Sequence, residues 1–109
     1  MPNIARRTDT FDCPDVASGS AEHTLVGSSP DVFANNLEVA RIGDITSGHS
    51  RTNHGFYPPV PVAEGSGTVF ANNIPISRRD DHHLTHCDAH PDCHAGKFNS
   101  YSPDVYADS

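Results

Sequence analysis

One phrase of this sequence is written nearly three times, and that repetition limits what the chain can fold into. The steps Val-Phe-Ala-Asn-Asn at Val32 and Val69 return as Val-Tyr-Ala-Asp at Val105, at spacings of 37 and 36 residues. A second phrase, basic then acidic, runs Arg6-Arg7-Thr8-Asp9, Arg41-Ile42-Gly43-Asp44 and Arg78-Arg79-Asp80-Asp81, its last Asp residues 35 and 37 apart. Three units therefore fill the 109 residues as one domain, 1–109, with repeats of approximately 1–36, 37–73 and 74–109.

Each unit reads as a hairpin followed by a long loop. Val32-Phe33 enters, Asn35-Asn36 turns, and Leu37 to Ile42 leaves. Asn tolerates positive φ, which a two-residue hairpin turn demands. Leu37 and Val39 share one face and Glu38 takes the other, as a half-buried strand requires. Pro75 replaces Glu38 in the second copy and predicts an exposed amide edge there. Nine Pro and eight Gly argue against long helices.

The sequence begins at the outgoing strand and ends at the hairpin turn. The stretch around Val105-Tyr106-Ala107 is thus expected to pair with Asn3 to Arg7. Such closure removes an edge that invites aggregation. An open solenoid would need capping repeats, and none is visible. The predicted fold is all-β: a small pseudo-threefold cone of three hairpin repeats whose loops converge on a metal at the tip.

The loops, 10–26, 45–64 and 82–100, hold all eight His and all three Cys. Loops this long in a compact domain are usually functional. If the hairpins share an axis, imidazole and thiolate from different loops meet near it, and such donors suit tetrahedral Zn²⁺. The candidates are Cys13 and His23 in the first loop and His49 and His54 in the second. The third holds His82, His83, His86, Cys87, His90, Cys93 and His94. A tetrahedron takes four, so most are spectators. His49-x4-His54 and Cys87-x5-Cys93-His94 each space two ligands. One ion would cross-link the repeats, a staple that a small core needs.

Phe33, Phe70 and Tyr106 occupy equivalent places and suit either an inner layer or a flat aromatic surface for a partner. Arg41 with Asp44 and Arg78 with Asp81 are expected to pair at the hairpin bases. A formal charge of −7 argues against nucleic acid as a partner. No apolar run approaches the ~20 residues of a spanning helix. Met1 to Arg7 lacks the apolar segment of a secretory signal, so synthesis in the cytoplasm is expected. Hydrolysis at an open metal site would need a positioned base; Asp81, Asp88 and Asp92 lie near the ligands, yet nothing assigns one of them that role, nor a small-molecule substrate.

With these residues in view, the chain resembles the PAAR-repeat family. Gly27-Ser-Ser-Pro-Asp-Val-Phe-Ala-Asn-Asn36 with Leu37-Glu-Val-Ala-Arg-Ile-Gly-Asp44 is similar to its repeat, and Gly65-Ser-Gly-Thr-Val-Phe-Ala-Asn-Asn73 with Ile74-Pro-Ile-Ser-Arg-Arg-Asp-Asp81 is a second copy. His54-Gly-Phe-Tyr-Pro-Pro-Val-Pro-Val62 is similar to a family loop. Asn36 and Asn73 stand where the family has a turn Gly, and Thr8 and Asp80 where it has Gly before Asp. The resemblance implies a non-enzymatic spike tip. It would cap a trimeric β-helical spike, one chain per trimer, and meet a target outer membrane transiently. The host machine would be a phage tail or a type VI secretion apparatus. It also implies one zinc ion held by three His and one Cys. By position these are His23, His49, His54 and Cys87, with Cys13, His86 and Cys93 in reserve. The reading from another class is a free-standing zinc-binding protein or small metallohydrolase.

Overall fold

The computed structural model describes residues 2–12, 23–50, 55–87 and 93–107. Its strands are all two residues long: β1 Phe11–Asp12, β2 Phe33–Ala34, β3 Leu37–Glu38, β4 His49–Ser50, β5 Phe56–Tyr57, β6 Phe70–Ala71, β7 Ile74–Pro75, β8 His86–Cys87, β9 Cys93–His94 and β10 Lys97–Phe98. They form five antiparallel pairs, β2–β3, β6–β7, β4–β5, β8–β9 and β1–β10. There is no helix among the described residues, and the molecule is all-β.

The two repeated hairpins turn where the sequence places them. Asn35, Asn36, Asn72 and Asn73 have φ of 54°, 64°, 55° and 63°. Their registers match, Phe33 opposite Glu38 and Phe70 opposite Pro75. The Asn side chains also reach to other hairpins. Asn72 Nδ2 donates to Asp31 at 2.7 Å and Asn35 Nδ2 to Asp104 at 2.8 Å.

The outgoing strands are shorter than expected because they leave their hairpin partner to pair with other repeats. Arg6 bridges Val39, Arg41 bridges Ile76, and Arg78 bridges Ile4. Between these bridges lies a closed circuit of backbone bonds. Ala40 N–H donates to Ala5 O at 2.9 Å, Ala5 N–H to Ser77 O at 3.1 Å, and Ser77 N–H to Ala40 O at 2.9 Å. All three residues are fully buried, so these amides must be paired internally. The chain ends meet as well: Asn3 bridges Tyr106, and Ile4 N–H donates to Val105 O at 2.8 Å. Pro75 lacks an N–H, yet its carbonyl accepts from Ile42 at 3.0 Å, so it keeps its place in the circuit.

Three layers stack on this frame. The first comprises Ile4, Val39 and Ile76 with Ala34, Ala71 and Ala107, against which Val32, Val69 and Val105 pack. The second comprises Ala5, Ala40, Phe11, Leu25, Val62 and Phe98. Phe11 then touches the rings of His23 and His83, at 5.2 and 5.0 Å between centroids, where a histidine layer begins. Alternation along β2 and β6 buries Ala34 and Ala71 and turns Phe33 and Phe70 outward. With Tyr106 they are 56%, 54% and 49% exposed, which settles them as a surface rather than an inner layer.

The basic-acidic phrase forms a turn whose third residue has positive φ: Thr8 at 73°, Gly43 at 89° and Asp80 at 68°. A β-branched residue is poorly suited there. Thr8→Gly is expected to raise stability by about 1 kcal/mol, since the left-handed penalty of ~1–2 kcal/mol exceeds the added entropy of Gly in the unfolded chain. A urea midpoint that falls in this variant would contradict the expectation.

Candidate metal centre

The loops fold into short ladders that the sequence did not advertise. His49 stands opposite Tyr57 across β4–β5, and His86 stands opposite His94 across β8–β9. Strand side chains alternate between faces. His49, Tyr57 and His86 therefore point inward and are buried, while Phe56, Cys87 and Cys93 point out. His23 enters from the first loop, its carbonyl accepting from Phe11 N–H at 3.0 Å.

His23, His49 and His86 are each at most 2% exposed, and one ring nitrogen of each lies within 4.8 Å of the others. Each of the three loops contributes one. His49 Nε2 is 3.3 Å from His86 Nε2. That is the spacing of two nitrogens on a tetrahedral zinc-type ion, about 3.3 Å for bonds of ~2.0–2.1 Å. His86 Nδ1 faces the Pro58 carbonyl at 2.8 Å, so it carries the proton and leaves the Nε2 lone pair directed into the cluster. Nδ1 of His23 and His49 makes no close hydrogen bond, although the backbone at Ser47 and Ser50 favours protonation of these rings slightly.

Two more imidazoles complete the layer. His83 Nε2 is 3.2 Å from His23 Nε2, and His94 Nε2 is 2.7 Å from His86 Nε2. Tyr57 stacks on His49 with centroids 5.0 Å apart and is fully buried. Burial keeps the rings neutral. Desolvation first, then the neighbouring His49, His83 and His86, lower the pKa of His23 to about 3. Desolvation lowers His83 to about 4, against opposition from the Leu84 carbonyl. His49 and His86 are lowered by the same cause. Neutral imidazole is the ligating form, so three buried histidines here can hold a metal ion without first losing protons at neutral pH.

Of the four ligands chosen by position, the structure brings together His23 and His49. His54 and the reserve Cys13 lie outside the described residues. Cys87 is placed elsewhere: its sulfur is bonded to Cys93, so no thiolate is present to ligate, and its side chain faces out. The reserve His86 occupies the inward position beside it. The signal for His86 was in the sequence: it follows Asp81 by five residues, as His49 follows Asp44.

Acid should weaken the metal-free protein. These histidines have folded pKa values below the unfolded value of 6.5, so the unfolded chain binds more protons below that pH. Stability is expected to be level above about pH 6.5 and to fall progressively as pH drops toward about 4. Denaturant titrations at a series of pH values check this; a midpoint unchanged from neutrality to pH 5 would contradict it.

No protein-family model matches the chain, and no curated protein matches it either.

Proposed function

We propose that this protein is the metal-tied tip of a contractile injection machine, as its resemblance to PAAR-repeat proteins implies. In this reading the three repeats form a pseudo-threefold cone. Its hairpin end seats on a trimeric β-helical spike, one chain per trimer, and its histidine end meets the target outer membrane.

The observation that carries the reading is the circuit of Ala5, Ala40 and Ser77, in which each repeat donates to another and the last returns to the first. A chain linked in this cyclic way can offer comparable surfaces to three identical subunits. Phe33, Phe70 and Tyr106, exposed at equivalent hairpin positions, supply aromatic anchors for such a surface. A zinc ion held by one histidine from each loop would tie the other end. Rigidity, rather than turnover, is then the contribution of the metal. The protein would be made in the cytoplasm and carried on a phage tail or by a type VI apparatus.

The test is assembly. Purified protein is mixed with trimeric β-helical spike proteins encoded near its gene, and the complex is weighed by native mass spectrometry. One chain per trimer is expected, with binding lost in Phe33→Glu/Phe70→Glu. A protein that binds no such spike, or binds three per trimer, would sink the proposal.

A further inference from the structure

The hairpin end carries charge as well as aromatic rings. In each repeat a buried Ser hydroxyl accepts from the backbone N–H two residues on: Ser29 from Asp31 at 3.3 Å, Ser66 from Thr68 at 3.1 Å and Ser102 from Asp104 at 3.2 Å. Asp31, Thr68 and Asp104 thus hold one structural place. Each stands two residues before an exposed ring, Phe33, Phe70 or Tyr106, and each is itself exposed. Two of the three places carry a carboxylate and the third a hydroxyl.

Both carboxylates are fixed at one oxygen and open at the other. Asp31 Oδ1 accepts from Asn72 Nδ2 at 2.7 Å, and Asp104 Oδ1 accepts from Asn35 Nδ2 at 2.8 Å. Oδ2 of each makes no hydrogen bond or ion pair with a described residue. The cations of the repeats are engaged by other groups. Arg6, Arg41 and Arg78 pair with Asp9, Asp44 and Asp81, and Arg7 pairs with Glu38. The Asn contacts hold each carboxylate in one orientation, so a partner need not order it on binding.

We propose that this end recognises a cationic as well as an apolar surface: the partner carries a Lys or Arg beside each socket for an aromatic ring, and Asp31 and Asp104 take two of the three cations. This names the chemistry of the spike surface in the function proposed above, and it rests on that function. Three identical subunits present any such cation three times. The third meets Thr68, whose hydroxyl accepts a hydrogen bond but brings no counter-charge. The interface is then one carboxylate short of its partner's symmetry. Charges of this kind act chiefly on the rate of association and on its salt dependence.

The experiment measures binding of the full chain to the trimeric spike encoded near its gene, from about 0.05 to about 0.5 M salt, with stoichiometry from native mass spectrometry. The wild-type Kd is expected to rise about tenfold across that range. Asp31→Asn and Asp104→Asn are each expected to weaken binding about three- to fivefold at low salt, and the double variant to flatten the salt dependence. Asn keeps the Oδ1 acceptor for Asn72 and Asn35, so these variants retain the hairpin contacts. Thr68→Asp is expected to tighten binding severalfold and to steepen the salt dependence. One chain per trimer with a salt-independent Kd, or an unchanged Kd in the double Asn variant, overturns the cationic partner and leaves the spike reading intact. Weaker binding by Thr68→Asp overturns the third cation. A chain that binds no spike at any salt overturns the spike reading and this proposal together. Because the salt series is run on the unaltered chain, it decides the role of charge even if a variant fails to fold.

Discussion

On the metal reading proposed above, stripping the ion from the purified protein with a strong chelator at neutral pH is expected to lower its stability by about 4 kcal/mol, relative to protein held in the divalent cation at ~1,000 times the dissociation constant. For a domain of this size that is a fall in melting temperature of roughly 15–25 °C. The effect is large because the cluster of His23, His49 and His86 joins three loops that are otherwise tied by two-residue ladders, single bridges and, in the third, the Cys87–Cys93 bond. An isolated ladder of that length has almost no stability in water. His86→Ala should reproduce most of the loss and make the chelator ineffective, because His86 Nε2 faces both His49 and His94. His82→Ala provides the contrast. His82 is half-exposed and pairs with Glu64 at 2.6 Å, outside the cluster, so the chelator response should survive its removal. A wild-type melting curve that the chelator leaves unmoved would show that no metal ties the loops.

The hairpins were legible in the sequence and the candidate ligands only half so, for one physical reason. Repeated hairpins leave a repeated record: Asn at positive φ, alternation around Val39, and an Arg three residues before each Asp. The histidine layer leaves a weaker one, since its ladders carry no alternation of apolar and polar residues. In β8 the inward and outward positions are His86 and Cys87, both plausible ligands, and only strand parity separates them. Counting from the repeated Asp would have selected His86, because His49 holds the equivalent place. His83 and His94 were not separable from their neighbours by spacing. Their positions in the layer are set by the Gly96 N–H beside His83 and by the register of β8 with β9, which are tertiary facts. The fate of Cys87 was equally hidden, since an odd number of Cys predicts neither a bond nor its absence.

Asp44→Ala is expected to cost about 3–5 kcal/mol, although surface ion pairs are typically worth only ~0–1 kcal/mol. Burial separates the two cases. Asp44 Oδ2 accepts from Arg41 N–H at 2.8 Å and from Nε at 3.2 Å, and Oδ1 accepts from Nη2 at 3.0 Å. The side chains are 14% and 10% exposed. The same Nη2 donates to Ser28 O at 3.0 Å, and Nη1 donates to Asn72 at 3.3 Å, so the guanidinium also anchors the neighbouring hairpin turn. Truncating Asp44 leaves that cation buried without its counter-charge, and also releases the Arg41 amide in the turn that contains Gly43. Asp44→Asn, which keeps the acceptor and loses the charge, should fall between the variant and the wild type. The equivalent pairs Arg6–Asp9 and Arg78–Asp81, at 3.0 and 3.1 Å, are similarly enclosed, so Asp9→Ala and Asp81→Ala should cost comparable amounts. Arg7–Glu38, at 49% and 26% exposure, is the control, and Glu38→Ala should shift the midpoint by no more than about 1 kcal/mol. Equilibrium denaturation of the set decides it: if Asp44→Ala behaves like Glu38→Ala, the turn holds without its clamp, and the circuit of Ala5, Ala40 and Ser77 carries the frame by itself.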